Sequence, residues 1–188
     1  MSITPESVKE LLNSEDFGER IRGLNQLRQI EKETAFDLVQ PMITDDNTRV
    51  RYAAVSQLDT LGTVNKDVSL TMLRDRLFND PEPDVQAAAA DAIGGLKLVE
   101  AYDDLAKVYR DTPEWLVQFS IIAALGELGN DSAIPLLAEF ADHEDWQIRY
   151  RLVQALGRLG GTEAKRIITT LTDDESDQVA KEAKNNLK

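Results

Sequence analysis

Three aromatic side chains recur in step along this chain. Tyr52, Phe119 and Tyr150 each stand two residues after an apolar anchor, Val50, Val117 and Ile148. At 100° per residue, positions two, five, six and nine after an anchor share one face of a helix, roughly opposite the face of the anchor itself. On that face the second copy carries Tyr52, Val55, Ser56 and Asp59. The third carries Ala87, Ala90, Asp91 and Gly94. The fourth carries Phe119, Ile122, Ala123 and Gly126, and the fifth Tyr150, Val153, Gln154 and Gly157. Arg151 falls at its edge. An aromatic, small-residue surface with a few charges suits a flat conjugated ligand or an apolar patch of a partner. Packing of these rings against the neighbouring copy is the plainer alternative. Trp115 and Trp146 stand two residues before their anchors in consecutive copies, where they stack structurally or form the rim of a binding face.

Catalytic groups are hard to find. There is no cysteine, hence no thiolate nucleophile and no cysteine-based metal site. The single histidine, His143, lies in an Asp-rich turn with no serine evidently placed beside it, so a Ser-His-Asp triad is not expected. No glycine-rich phosphate loop is present. The expectation is an unknown catalytic residue, no metal and no required cofactor. Any rate effect would come from holding a ligand in reactive geometry.

A net charge of −13 argues against nucleic acid as a partner. With 42% hydrophobic and 29% charged residues the chain suits a folded protein. No apolar run is long enough to span a membrane, and the first residues lack a secretory pattern. These features predict a cytoplasmic protein forming a single domain over residues 1–188.

The elements that position these residues repeat. Anchors at Val50, Val85, Val117, Ile148 and Val179 are 35, 32, 31 and 31 residues apart, and a weaker copy precedes them. Apolar residues follow each anchor at 4, 8 and 11, as in Val50, Ala54, Leu58 and Leu61, and form one helical stripe. Glycines such as Gly62, Gly129 and Gly160 follow the stripe, where positive φ can close a helix. Shorter apolar segments such as "AFDLVQPMI" and "AIPLLAEFA" lie between, each followed by acidic or Pro-rich turn residues that start the next helix. Each copy is therefore a helix–turn–helix pair. The fold class is an all-α, HEAT-like α-solenoid superhelix of about six pairs, beginning near residues 4, 34, 65, 99, 131 and 162. In such solenoids the second helices line the concave side. Arg51 and Arg149, one residue past their anchors, are expected to pair with turn aspartates from repeat to repeat. In the degenerate first copy Arg20, Gln26, Leu27 and Ile30 match Arg51, Gln57, Leu58 and Leu61, and Arg22 sits near the place of the pairing arginine; Gln86 and Gln118 interrupt the series.

The segments "RVRYAAVSQLDTLG", "NDPEPDVQAAAADAIGGLKL", "EWLVQFSIIAALGELG" and "WQIRYRLVQALGRLGGTEAK" resemble the HEAT-like phycobilin lyases of the E/F type found in cyanobacteria, and within them the members tied to phycobilisome degradation. The single repeat motif is weakly specific, and the succession of segments more so. The resemblance implies contact with phycobiliprotein and its linear tetrapyrrole, a phycocyanobilin-type bilin. It implies a groove in which Tyr52, Phe119 and Tyr150 stack on pyrroles, Asp59 or Asp91 accepts from pyrrole N–H groups, and Arg151 pairs with a propionate beside Gln154. A non-catalytic adaptor for protein–protein contact is the alternative.

Overall fold

The computed structural model describes residues 3–188. Its twelve α-helices form six consecutive pairs: α1 (Pro5–Leu12) with α2 (Phe17–Gln26), α3 (Lys32–Val39) with α4 (Thr48–Leu61), α5 (Lys66–Asn79) with α6 (Pro83–Gly95), α7 (Tyr102–Asp111) with α8 (Trp115–Leu128), α9 (Ile134–Ala138) with α10 (Trp146–Leu159), and α11 (Gly161–Thr170) with α12 (Asp177–Asn186). The pairs start where the repeat predicts. Their N-termini use the expected chemistry. Thr4 closes a capping box onto Ser7 ahead of Pro5, Asn65 accepts from Val68 N–H, and Asp145 accepts from Gln147 N–H.

Contacts divide the chain into two compact units, one ending at Leu96 and the other running from Lys97 to Lys188. In the first, α2 packs on α4 and α4 on α6. In the second, α8 packs on α10 and α10 on α12. Second helices therefore lie side by side within each unit, the arrangement of an α-solenoid. The anchor stripe is core throughout: Val50, Ala54 and Leu58, Val85, Ala89 and Ile93, and Val117, Ile121 and Leu125 are all fully buried.

The turn before each second helix repeats one device. Its acceptor is Ser14, Asp45, Asp80, Thr112, His143 or Asp174, and each side chain accepts from the backbone N–H two residues on. Five of these turns are also clamped from the helix they open. Arg20, Arg51, Gln86, Gln118 and Arg149 each donate to the carbonyl six residues back, at 2.6–3.1 Å. The arginines reach further. Arg51 grips both carboxylate oxygens of Asp80 (2.9 and 3.0 Å), Arg149 those of Asp174 (2.7 and 2.9 Å), and Arg20 lies 2.9 and 3.1 Å from those of Asp45. In the first copy the ladder residue is thus Arg20. Arg22 is exposed and pairs with Glu19 one turn away. Gln86 and Gln118 keep the backbone half of the clamp, so the series is modified rather than broken.

Two glycines act differently from each other. Gly129 adopts φ +69° and closes α8 in the left-handed region, as its position predicts. Gly62 does not: its φ of −62° is helical, and it is there because a Cβ would meet Leu96 Cδ1 at 2.7 Å. Gly126 permits a close backbone approach in the second unit, since a Cβ there would lie 2.7 Å from Ala155 Cα on α10.

Burial alone would raise the Asp80 carboxyl, but bonds from Arg51, the Glu82 N–H and Arg76 outweigh it and hold the group below the ordinary aspartate value. The hydrogen bond from Arg149 does the same for Asp174, against burial. Both carboxylates therefore stabilise the fold above the unfolded aspartate value of about 4, and that contribution drains away as pH falls below it through the lowered native values. Asp80→Ala strands a buried guanidinium and should cost about 3–5 kcal/mol in urea unfolding at pH 7. The double change Arg51→Gln with Asp80→Thr makes a neutral rung and should cost less. Asp174→Asn should flatten the loss of stability between pH 5 and 3 relative to the unmodified chain. Gly126→Leu should cost about 1–3 kcal/mol or more by forcing α8 from α10, read as a lower thermal midpoint.

Candidate functional site

In the first unit, Tyr52 leaves 48% of its surface exposed on α4. Ser56 and Asp59 are exposed along the same helix, and Asp91 is exposed on α6. Asp59 leans across to α6, where a Cβ on Gly95 would lie 1.8 Å from its Oδ1. The apolar members of this face are not free. Val55, Ala87 and Ala90 are buried where α4 meets α6.

The same holds in the second unit. Ile122, Ala123 and Val153 are buried between α8 and α10. Gly126 is filled by Ala155 and Gly157 by the Asn186 side chain of α12. Gly94 is buried as well. The face opposite the anchors thus also supplies core residues, because within each unit neighbouring second helices pack side by side. The small residues let helix approach helix; the space proposed for a ligand against their backbone is occupied.

What stays open is an aromatic layer. Trp115 is 51% and Trp146 38% exposed. Each indole stands edge-on to the ring one turn along its own helix, Trp115 to Phe119 (centroids 6.1 Å, 72°) and Trp146 to Tyr150 (6.5 Å, 76°). The pairing is within each helix. Phe119 and Tyr150 are half-buried. Arg151 crosses from α10 to lay its guanidinium over Phe119, 4.1 Å from the ring centroid. Its Nη1 donates to Gln154 Oε1 at 3.3 Å, while its Nε is buried without a partner. The Tyr150 hydroxyl lies 3.4 Å from Glu182 Oε2. The sequence pattern brings Phe119, Tyr150, Arg151 and Gln154 onto one helix pair, α8 and α10, and Tyr52, Asp59 and Asp91 onto another, α4 and α6.

Among the described residues no group of three or more His, Asp or Glu side chains is arranged to hold a metal ion. His143 is engaged in its turn, its Nδ1 accepting from Asp145 N–H at 3.0 Å. No described helix is long and apolar enough to cross a membrane.

The repeat geometry has relatives. A family model for HEAT repeats matches residues 4–94, 58–125 and 102–188. A search of curated proteins gives no significant match. Among solved structures the chain is similar to the complex of CpcE and CpcF of phycocyanin lyase from Nostoc sp. PCC7120, at 21% identity and TM-score 0.75 over 99% of this chain and 76% of that one. An engineered protein matches at 18% identity and TM-score 0.71 over 99% and 96% of the two chains. YibA of E. coli matches at 17% and 0.71 over 98% and 70%. At these identities the likeness is one of fold. Six consecutive helix pairs and a repeat match over residues 4–188 together make this chain a member of the HEAT-repeat family.

Proposed function

We propose that this protein acts in phycobilisome metabolism, binding a phycobiliprotein and its bilin and promoting bilin detachment during antenna degradation, as the resemblance of its segments to the phycobilisome-degradation protein NblB suggests. The observation that carries the reading is the open aromatic layer of α8 and α10. Trp115 and Trp146 offer exposed indoles to a partner, and Phe119 carries on its face the Arg151 guanidinium, whose Nη1 bonds the neutral Gln154 side chain. That guanidinium suits a propionate, and the rings suit pyrroles. The fold likeness to CpcE and CpcF of phycocyanin lyase supports the same direction. Bilin is here a ligand rather than a resident cofactor, and the contribution to detachment is positional.

A second reading is a non-catalytic adaptor for the antenna. It is favoured by the filling of Gly126 and Gly157, which leaves a shallow layer better matched to a protein surface than to an enclosed chromophore.

Titration with free phycocyanobilin and with intact phycocyanin separates the two. A shifted bilin band, or loss of phycocyanin colour with time, supports chromophore handling. Flat spectra with co-migration on a sizing column support the adaptor, and flat spectra without co-migration sink both. Trp115→Ala with Trp146→Ala should weaken phycocyanin binding at least about ten-fold if these indoles anchor the contact. Tyr52→Ala with Tyr150→Ala should weaken ligand binding with little change in thermal midpoint. A large drop in midpoint with unchanged binding would assign those rings to packing.

A further inference from the structure

Six turns use six acceptors of only four kinds, and one kind, an imidazole nitrogen, becomes a donor when it gains a proton. Ser14, Thr112 and the three aspartates keep an acceptor oxygen between pH 8 and 5. His143 accepts from the Asp145 N–H (3.0 Å) only while Nδ1 carries no proton, because both nitrogens of an imidazolium are donors. We propose that the fifth turn is a proton-operated latch. Protonation of His143 at Nδ1 removes the acceptor of the Asp145 N–H and loosens the start of α10, which carries the exposed Trp146 as its first residue.

The surroundings sharpen the switch. Asp142 and Glu144 flank His143 in its own turn, and Asp145 caps α10. Asp174 and Glu175 of the following turn line the same depression of about 300 Å³. Arg149 shares this turn, and its donors are committed: two to the carbonyls of His143 and Glu144, three to Asp174 and Glu175. A new cation at His143 therefore competes with Arg149 for the acids of the next turn. It also releases an N–H that has no other acceptor in the repeated design. Both changes act on the same few residues ahead of Trp146. The inference is independent of what the protein binds.

The experiment uses the full chain with Trp115→Phe, leaving Trp146 as the one indole. Its fluorescence and the exchange of the Asp145 amide, corrected for intrinsic rate, are followed from pH 8 to 5. The comparison variant is His143→Asn, whose side-chain oxygen accepts at every pH. His143→Thr, the residue type found at Thr112, serves as a second variant. The proposal expects a fluorescence transition and about five-fold faster Asp145 exchange in the parent at low pH, both absent in the two variants at matched thermal midpoints at pH 8. A transition of equal size in the variants would assign the effect to the carboxylates. A flat parent trace with Asp145 protected to pH 5 would show that the turn does not open. Either result overturns the latch.

Discussion

The structure hangs on a guanidinium that faces two ways. In α2, α4 and α10 an arginine six residues past the turn acceptor ties down the carbonyls of its own turn and then holds the aspartate of the turn that follows. One side chain thereby fixes how a helix starts and where its neighbour's turn must lie. An isolated ion pair, buried, would return little for its desolvation. Here nearly all of the donors are used: Arg149 makes five bonds, and Asp80 accepts from two arginines and a backbone N–H. With polar groups satisfied to this degree, the apolar stripes of the second helices can be packed close without leaving charges unmatched.

That packing decides what the chain can offer a partner. A second helix flanked on both sides by others has only a narrow outward strip left. Val55, Ile122 and Val153 go to the neighbours, and the strip retains the long aromatics, whose rings reach past the interface. Apolar character at these positions thus has two origins, mutual packing of second helices and an outward aromatic layer, and only the second bears on binding. A shallow strip of indole and phenyl rings with one guanidinium among them favours broad, flat partners over small ligands needing enclosure.

Repeat spacing made the paired helices, their start points and the anchor core readable from the chain, because one stripe at 4, 8 and 11 has one helical meaning. The site was less readable. Helical phase put Phe119, Tyr150, Arg151 and Gln154 on one face, and Arg151 does lie over Phe119 and beside Gln154, but phase alone does not say that the opposite face of a helix is also covered. Nothing local to Gly126 shows that Ala155, twenty-nine residues on, fills the space beside it. In the degenerate first repeat the match of Arg20 to Arg51 agrees with the ladder, whereas Arg22 only sits near that place; the distance of Arg20 from Ser14 decides between them, and the acceptor position hides its role by accepting Ser, Asp, Thr or His. Gly62 shows the same limit. A glycine after a helix can serve conformation or space, and only the neighbour, Leu96, tells which.

The two-way arginine also writes a grammar for the chain's history. Wherever the clamping residue is Arg, the next turn acceptor in sequence is Asp, as in Arg20 and Asp45, Arg51 and Asp80, Arg149 and Asp174. Wherever it is Gln, the next acceptor is not a carboxylate, Thr112 after Gln86 and His143 after Gln118. Each joint therefore matches a clamp in one repeat to an acceptor in the next. Duplication or loss of a unit is silent only between like joints: splicing an Arg-type repeat ahead of a Thr or His turn would bury an unmatched cation, and the reverse would orphan an aspartate. Growth of this solenoid by copying is thus limited by its joints, with compatibility set by each clamp and the acceptor that follows it.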